Sequence, residues 1–189
     1  MHGAALPGWL LVALCAASGT YCVVRMRCCA GPARSAATDE ALMGFGMAAM
    51  AVPAAVAPAP TWGWLLFAAL FGTVGLRALW ATRISRGGAH HLHHLVGSLA
   101  MVYMAVAMSP FAAGGHGEHR GAPGAGGVPL VTGVLLVYFT VFVLRAGSRL
   151  VPVAAPAGGP VPAWGARPEL ALACRVSMGV AMLAMLLTV

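Results

Sequence analysis

Lysine, asparagine and glutamine are absent from this chain, and only four of its 189 residues are acidic. The basic side consists of eleven arginines, so charged residues make up 8% of the sequence. A soluble domain of this length cannot cover its surface with so little charge, and the mean hydropathy of +0.87 agrees. The missing amides and lysines read as the bias of a G- and C-rich gene. The scarcity of acids matters more. Asp39, Glu40, Glu118 and Glu169 are the whole set; all fall at the boundaries of apolar runs and form no catalytic constellation. Helix starts explain Asp39, Glu40 and Glu169, because a carboxylate is favoured at the positive end of the helix dipole. No CxxC or HExxH signature is present. The expectation is a protein that is not an enzyme.

Apolar sequence is what the chain has in quantity, at 60% of its residues. A helix needs about 20 such residues to cross the hydrocarbon core. Six runs qualify, approximately Gly8 to Val24, Ala41 to Ala59, Trp62 to Leu79, His94 to Ala113, Pro129 to Leu144 and Leu170 to Val189. The fold class expected is therefore all-α, a polytopic transmembrane bundle of six helices forming a single integral membrane domain over residues 1–189. A bacterial inner membrane is the expected location, with the lipid bilayer as principal partner. A membrane-protein partner or a second copy of the chain is a further candidate.

The net charge of +7 could point to nucleic acid, but the arginines are scattered at the ends of apolar runs and form no basic face with interleaved aromatics. They act as topology signals. Arg25, Arg27, Arg34, Arg77, Arg83, Arg86, Arg145, Arg149, Arg167 and Arg175 all fall on one side if both termini are outside, and only Arg120 falls on the other. The tryptophans agree, with Trp9, Trp62 and Trp64 at the outer interface and Trp80 and Trp164 near the inner one. The first run lacks a basic leader, which suits an uncleaved helix, and leucine before Cys15 argues against lipidation. Gly114 to Gly127 is then a glycine-rich outer loop, and Ala146 to Glu169 a Pro/Gly/Ala linker inside.

Methionine carries the clearest pattern. Met43, Met47 and Met50 mark the second run, Met101, Met104 and Met108 the fourth, and Met178, Met182 and Met185 the sixth. Each triplet makes a stripe at helical spacing. With about 100° per residue, His90 and His94 share an arc of about 80° with Met101, Met104 and Met108. Asp39 continues the Met43 stripe and Cys174 the Met178 stripe. The third and fifth runs have no methionine and are expected to face lipid.

Two readings of the stripes follow. Thioethers and thiolates select Cu(I), imidazole accepts several metals, and a neutral thioether costs little to desolvate. On that reading the protein binds or moves a soft metal through helices two, four and six. Alternatively, methionine fills irregular helix interfaces beside small residues such as Gly44, Gly46, Gly97 and Gly179, and the protein is a structural or assembly subunit with no metal. Haem is a third option, requiring His/Met ligation because no other helix offers a histidine at that depth. His116, Glu118 and His119 could collect a divalent ion, but a glycine-rich loop offers no preorganised geometry. Cys28 and Cys29 are adjacent, which disfavours a bridge between them.

DEALMGFGMAAMAVP together with HHLHHLVGSLAMVYMAV resembles an actinobacterial family of small multi-pass membrane proteins that carries a domain of unknown function. The resemblance implies an integral membrane protein in which Asp39, Met43, Met47, Met50, His90, His94, Met101 and Met104 match a recurrent acid, methionine and histidine pattern. It implies no activity.

Overall fold

The computed structural model describes residues 5–52, 60–84, 88–109, 128–150 and 167–188. Six helices fill them: α1 (Ala5–Cys28), α2 (Gly31–Met50), α3 (Thr61–Ile84), α4 (Gly88–Ala107), α5 (Pro129–Ser148) and α6 (Pro168–Leu186). No strand occurs among the described residues. The all-helical expectation and the number of helices agree with this. Proline opens α5 and α6, where its missing N–H costs nothing. Between α1 and α2 the chain reverses at Gly31, whose φ of +56° suits a residue without Cβ, and Pro32 starts the next helix.

Four helical stretches are long and apolar enough to cross a membrane: Leu6–Cys28, Trp62–Trp80, Pro129–Ser148 and Pro168–Leu186. The apolar part of α4, Leu92–Ala107, is shorter. α2 is not among the four. It opens at Gly31 rather than Ala41, and Arg34, Ser35, Thr38, Asp39 and Glu40 occupy its first half. The expected second run therefore overlaps this helix only over Ala41 to Met50.

The chain divides into two compact units. The first holds residues 1–52 and 136–184, the second residues 53–135 and 185–189. In the first, α1 and α2 form an antiparallel hairpin whose close approach depends on glycine. A Cβ on Gly44 would lie 3.0 Å from the Gly19 backbone and 3.2 Å from the Cys15 carbonyl, tighter than ordinary Cβ contacts, so a methyl group there would push the two helices slightly apart. α5 meets α6 where a Cβ on Gly179 would come within 2.7 Å of Val143. In the second unit α3 packs on α4, and Ser98 lies opposite Gly75. Tyr103 of α4 also shares a 2.7 Å hydrogen bond with Thr132 of α5.

Large apolar side chains remain outside. Leu65, Leu66 and Leu76 of α3 and Leu130, Val134 and Leu144 of α5 are all more than half exposed. Hydroxyls on α1, α3 and α6 are handled locally: Thr20, Thr73 and Ser177 each donate to a carbonyl three or four residues back. That satisfies the group without water.

Candidate functional site

The interior of the first unit follows a three-four spacing, as in a coiled-coil seam. On α1 it runs Cys15, Ser18, Cys22, Arg25; on α2, Ala37, Glu40, Gly44, Met47; on α6, Ala171, Arg175, Met178, Met182. All of these are buried except the two arginines, which are half-buried. One charged residue from each helix therefore sits in an otherwise uncharged seam.

Those three charges meet. Arg25 donates from Nη1 to Oε2 of Glu40 at 2.9 Å, and Arg175 donates from Nε to Oε1 at 2.6 Å. The carboxylate retains 4% of its exposure, against 15% for the Arg25 side chain and 30% for that of Arg175. The thiol of Cys22 lies 3.8 Å from Oε2 as a weak further donor. Thr38 of α2 donates to the thioether of Met26 on α1 at 3.1 Å. A buried carboxylate costs several kcal/mol to desolvate, by order of magnitude, unless it is paired and hydrogen-bonded. Here both oxygens are used, each by a different helix.

This arrangement corrects the sequence reading of the acids. α2 has no acidic residue in its first turn, so Asp39 and Glu40 do not cap it. They stand in its middle, and the buried one is Glu40 rather than Asp39, which is half-buried. The signal was available. Glu40 precedes Met47 by seven residues, and Arg175 precedes Met182 by seven, which places each about 20° from its methionine on a helix. Asp39 and Cys174 lie about 80° away by the same measure. Glu169, by contrast, does fall in the first turn of α6.

The methionine stripes are inside. Met43, Met47, Met101, Met104, Met178, Met182 and Met185 are buried, while Met50 and Met108 at the ends of their stripes are half-buried. Met43, Met47, Met178 and Met182 belong to the first unit, and Met101 and Met104 to the second. On α4 the same face buries His94, Ser98, Met101 and Met104, with His94 at 5% exposure. The Ser98 hydroxyl is fully buried and has no hydrogen-bond partner among the described residues. The side chain of His90 lies outside the described residues, as do His116, Glu118 and His119. Cys174 is half-buried and Cys28 exposed, and all five cysteines are free thiols. Among the described residues, no three His, Cys, Asp or Glu side chains gather as a group that could hold a metal ion.

No curated protein and no solved structure matches the chain. A family model does, over residues 32–189, which takes in five of the six helices and both Glu40 and Arg175. The chain belongs to the family described as Domain of unknown function (DUF5134).

Proposed function

We propose that this chain is a multi-pass protein of the bacterial inner membrane, with both termini outside, that serves as a structural or assembly subunit and not as an enzyme. The observation that carries the reading is the way the first unit is closed. Glu40 is gripped from two helices at 2.9 and 2.6 Å, and at Gly44 the α1–α2 contact is tight enough that a methyl group would force the helices apart. An interior tied in this manner suits a fixed scaffold. The apolar surfaces of α3 and α5 offer contact with lipid, a membrane-protein partner or a second copy. On this reading the methionines fill the interior by shape.

A second reading has its own support on α4. A buried imidazole, a buried hydroxyl lacking a protein partner and two buried thioethers lie along one helix face. Such a donor set suits a soft cation such as Cu(I) better than haem, which needs ligands on opposite sides of one plane. Replacing Met47, Met104 and Met182 together by leucine separates the two, because leucine conserves volume, costing less than about 1.5 kcal/mol per site, while removing sulfur. The scaffold reading expects a folded variant and no saturable copper binding in the wild type under anaerobic, reducing conditions. Saturable Cu(I) binding that falls in the leucine variant would replace it with the metal reading.

A further inference from the structure

The charge balance around Glu40 is uneven, and the excess reaches the surface. One carboxylate faces two guanidiniums, so the group carries a net charge of about +1 in a largely apolar unit. Each guanidinium has five N–H donors in a planar fork. Arg25 commits Nη1 and Arg175 commits Nε to the carboxylate. Nε and Nη2 of Arg25, and both Nη groups of Arg175, have no protein acceptor among the described residues. The buried partner is the anion, and the exposed part of the group is cationic: Glu40 is 4% exposed, Arg175 30%.

Position adds to this. Arg25 and Arg27 stand in the last turn of α1, Arg34 in the first turn of α2, and Arg175 two turns into α6. The first three lie around the α1–α2 reversal, and the bond between Glu40 and Arg175 brings α6 to the same end of the unit. Arg27 and Arg34 are exposed. If α1 and α6 cross a bilayer, Arg25 in the last turn of α1 lies near headgroup level and Arg175 about two turns inside the start of its crossing stretch, a depth from which a long arginine side chain reaches back to the interface, where basic pockets between helices take anionic lipid heads.

We propose that Arg25 and Arg175 together hold the phosphate of a singly charged phosphodiester lipid, such as phosphatidylglycerol, against the first unit. A phosphodiester has one negative charge, which matches the excess, and its unesterified oxygens suit the paired donors of a guanidinium fork. Val24 and Leu14, both exposed on α1, give the acyl chains an apolar surface beside the charge. Glu40 holds both arginines in place and keeps the second positive charge from being left uncompensated.

The proposal rests on α1 and α6 crossing the membrane, and that premise is tested separately by alkaline carbonate extraction of the full chain. A chain released by carbonate would overturn the premise. For the lipid itself, the purified full chain is exchanged into nanodiscs of phosphatidylcholine containing a minor fraction of phosphatidylglycerol, and the lipid retained after detergent extraction is quantified. The wild type should retain phosphatidylglycerol at least about fivefold above its share, which corresponds to ~1 kcal/mol in total, the increment for the one net positive charge of the group near an anionic surface. Arg175→Gln leaves a neutral Arg25–Glu40 pair, so it should fold and lose the enrichment. Arg25→Gln, leaving Arg175 with Glu40, should do the same and serves if the first variant aggregates. Retention in proportion to the mixture by wild type, or undiminished enrichment in either folded variant, would overturn the proposal. Inorganic phosphate provides the remaining arm: millimolar phosphate that displaces the lipid and raises the melting temperature equally would assign the site to a soluble anion instead.

Discussion

Oε1 of Glu40 on α2 and Nε of Arg175 on α6 are 2.6 Å apart, although 135 positions separate the two residues along the chain. This bond makes α2, which is not among the helices long and apolar enough to cross a membrane, an internal member of the first unit. Removing the carboxylate by Glu40→Ala leaves two guanidiniums facing each other, and breaking a buried pair in this manner costs about 3–5 kcal/mol. The partial exposure of Arg175 puts the expected loss at the lower end. Replacing all three residues with apolar ones of similar size, Arg25→Met, Glu40→Leu and Arg175→Met, should bring stability back to near the wild-type value. Thermal unfolding in detergent, compared across the single and triple variants, checks both outcomes. A Glu40→Ala variant as stable as the wild type would show that the ion group does not fasten the helices.

The glycines divide into those in tight contact and those in open space. Gly44→Ala places a methyl group 3.0 Å from the Gly19 backbone, and backbone cannot move aside as a side chain tip can. The α1–α2 hairpin must open slightly, at a cost of roughly 1–3 kcal/mol. At Gly72 of α3 an added methyl group would meet nothing within 4 Å. Gly72→Ala should therefore stabilise by about 0.5–1 kcal/mol, through helix propensity alone. Opposite signs for these two identical chemical changes, read as melting temperature shifts in the same detergent, are the expected result.

Much of the helical content was legible because apolar runs of sufficient length leave few other options. The burial of the stripes was legible as well, from the spacing of Met43 and Met47, Met101 and Met104, and Met178 and Met182. The start of α2 was not. Its first half contains Pro32, Arg34, Asp39 and Glu40, and a reading keyed to hydropathy discards such a segment as a boundary. The ion group escapes such a reading for the same reason. Charged residues near apolar runs usually mark topology, so hydropathy presents Arg25 and Arg175 only as markers of side. Their registers, Arg25 three residues after Cys22 and Arg175 three before Met178, put them on the buried seam, and register is what distinguishes an interior charge from a flanking one.

Tyr103 ties α4 to the start of α5 through its hydroxyl, which bonds Thr132 at 2.7 Å and reaches the Val128 carbonyl at 3.3 Å. Tyr103→Phe keeps the ring and removes both bonds. A typical intramolecular hydrogen bond contributes about 0.5–1.5 kcal/mol, so one such increment should be lost. Thr132→Val should cost a similar amount, and the double variant should cost less than the sum, since the two side chains share one bond. Strict additivity in this double-mutant cycle would show that the pair does not interact.

The arrangement of the arginines makes a prediction that does not depend on any side-chain contact. Ten of the eleven lie on one side when the six helices alternate in direction, and Arg120 stands alone on the other. α2 is not among the four helices long and apolar enough to cross a membrane, and α4 has only the shorter apolar stretch Leu92–Ala107. With α4 taken as crossing, two arrangements that differ in α2 remain to be told apart. If α2 passes through the bilayer with the rest, Gly115 before Arg120 and Ala157 between Arg149 and Arg167 lie on opposite sides, outside and inside. If α1 and α2 enter and leave without α2 completing a crossing, the count of passes changes by one, and every position after Met50 reverses relative to the N-terminus while the Gly115 and Ala157 sites still oppose each other. Reporter fusions at four positions therefore decide the matter: Ser35 near the α1–α2 reversal, Gly87 between α3 and α4, Gly115 and Ala157. The fusion at Gly87 reads inside if α2 and α4 both cross and outside if neither does. The alternating arrangement expects inside, inside, outside and inside. The order inside, outside, inside and outside would mean that α2 stays on the inner side, held to α1 and α6 through Glu40 without spanning the membrane.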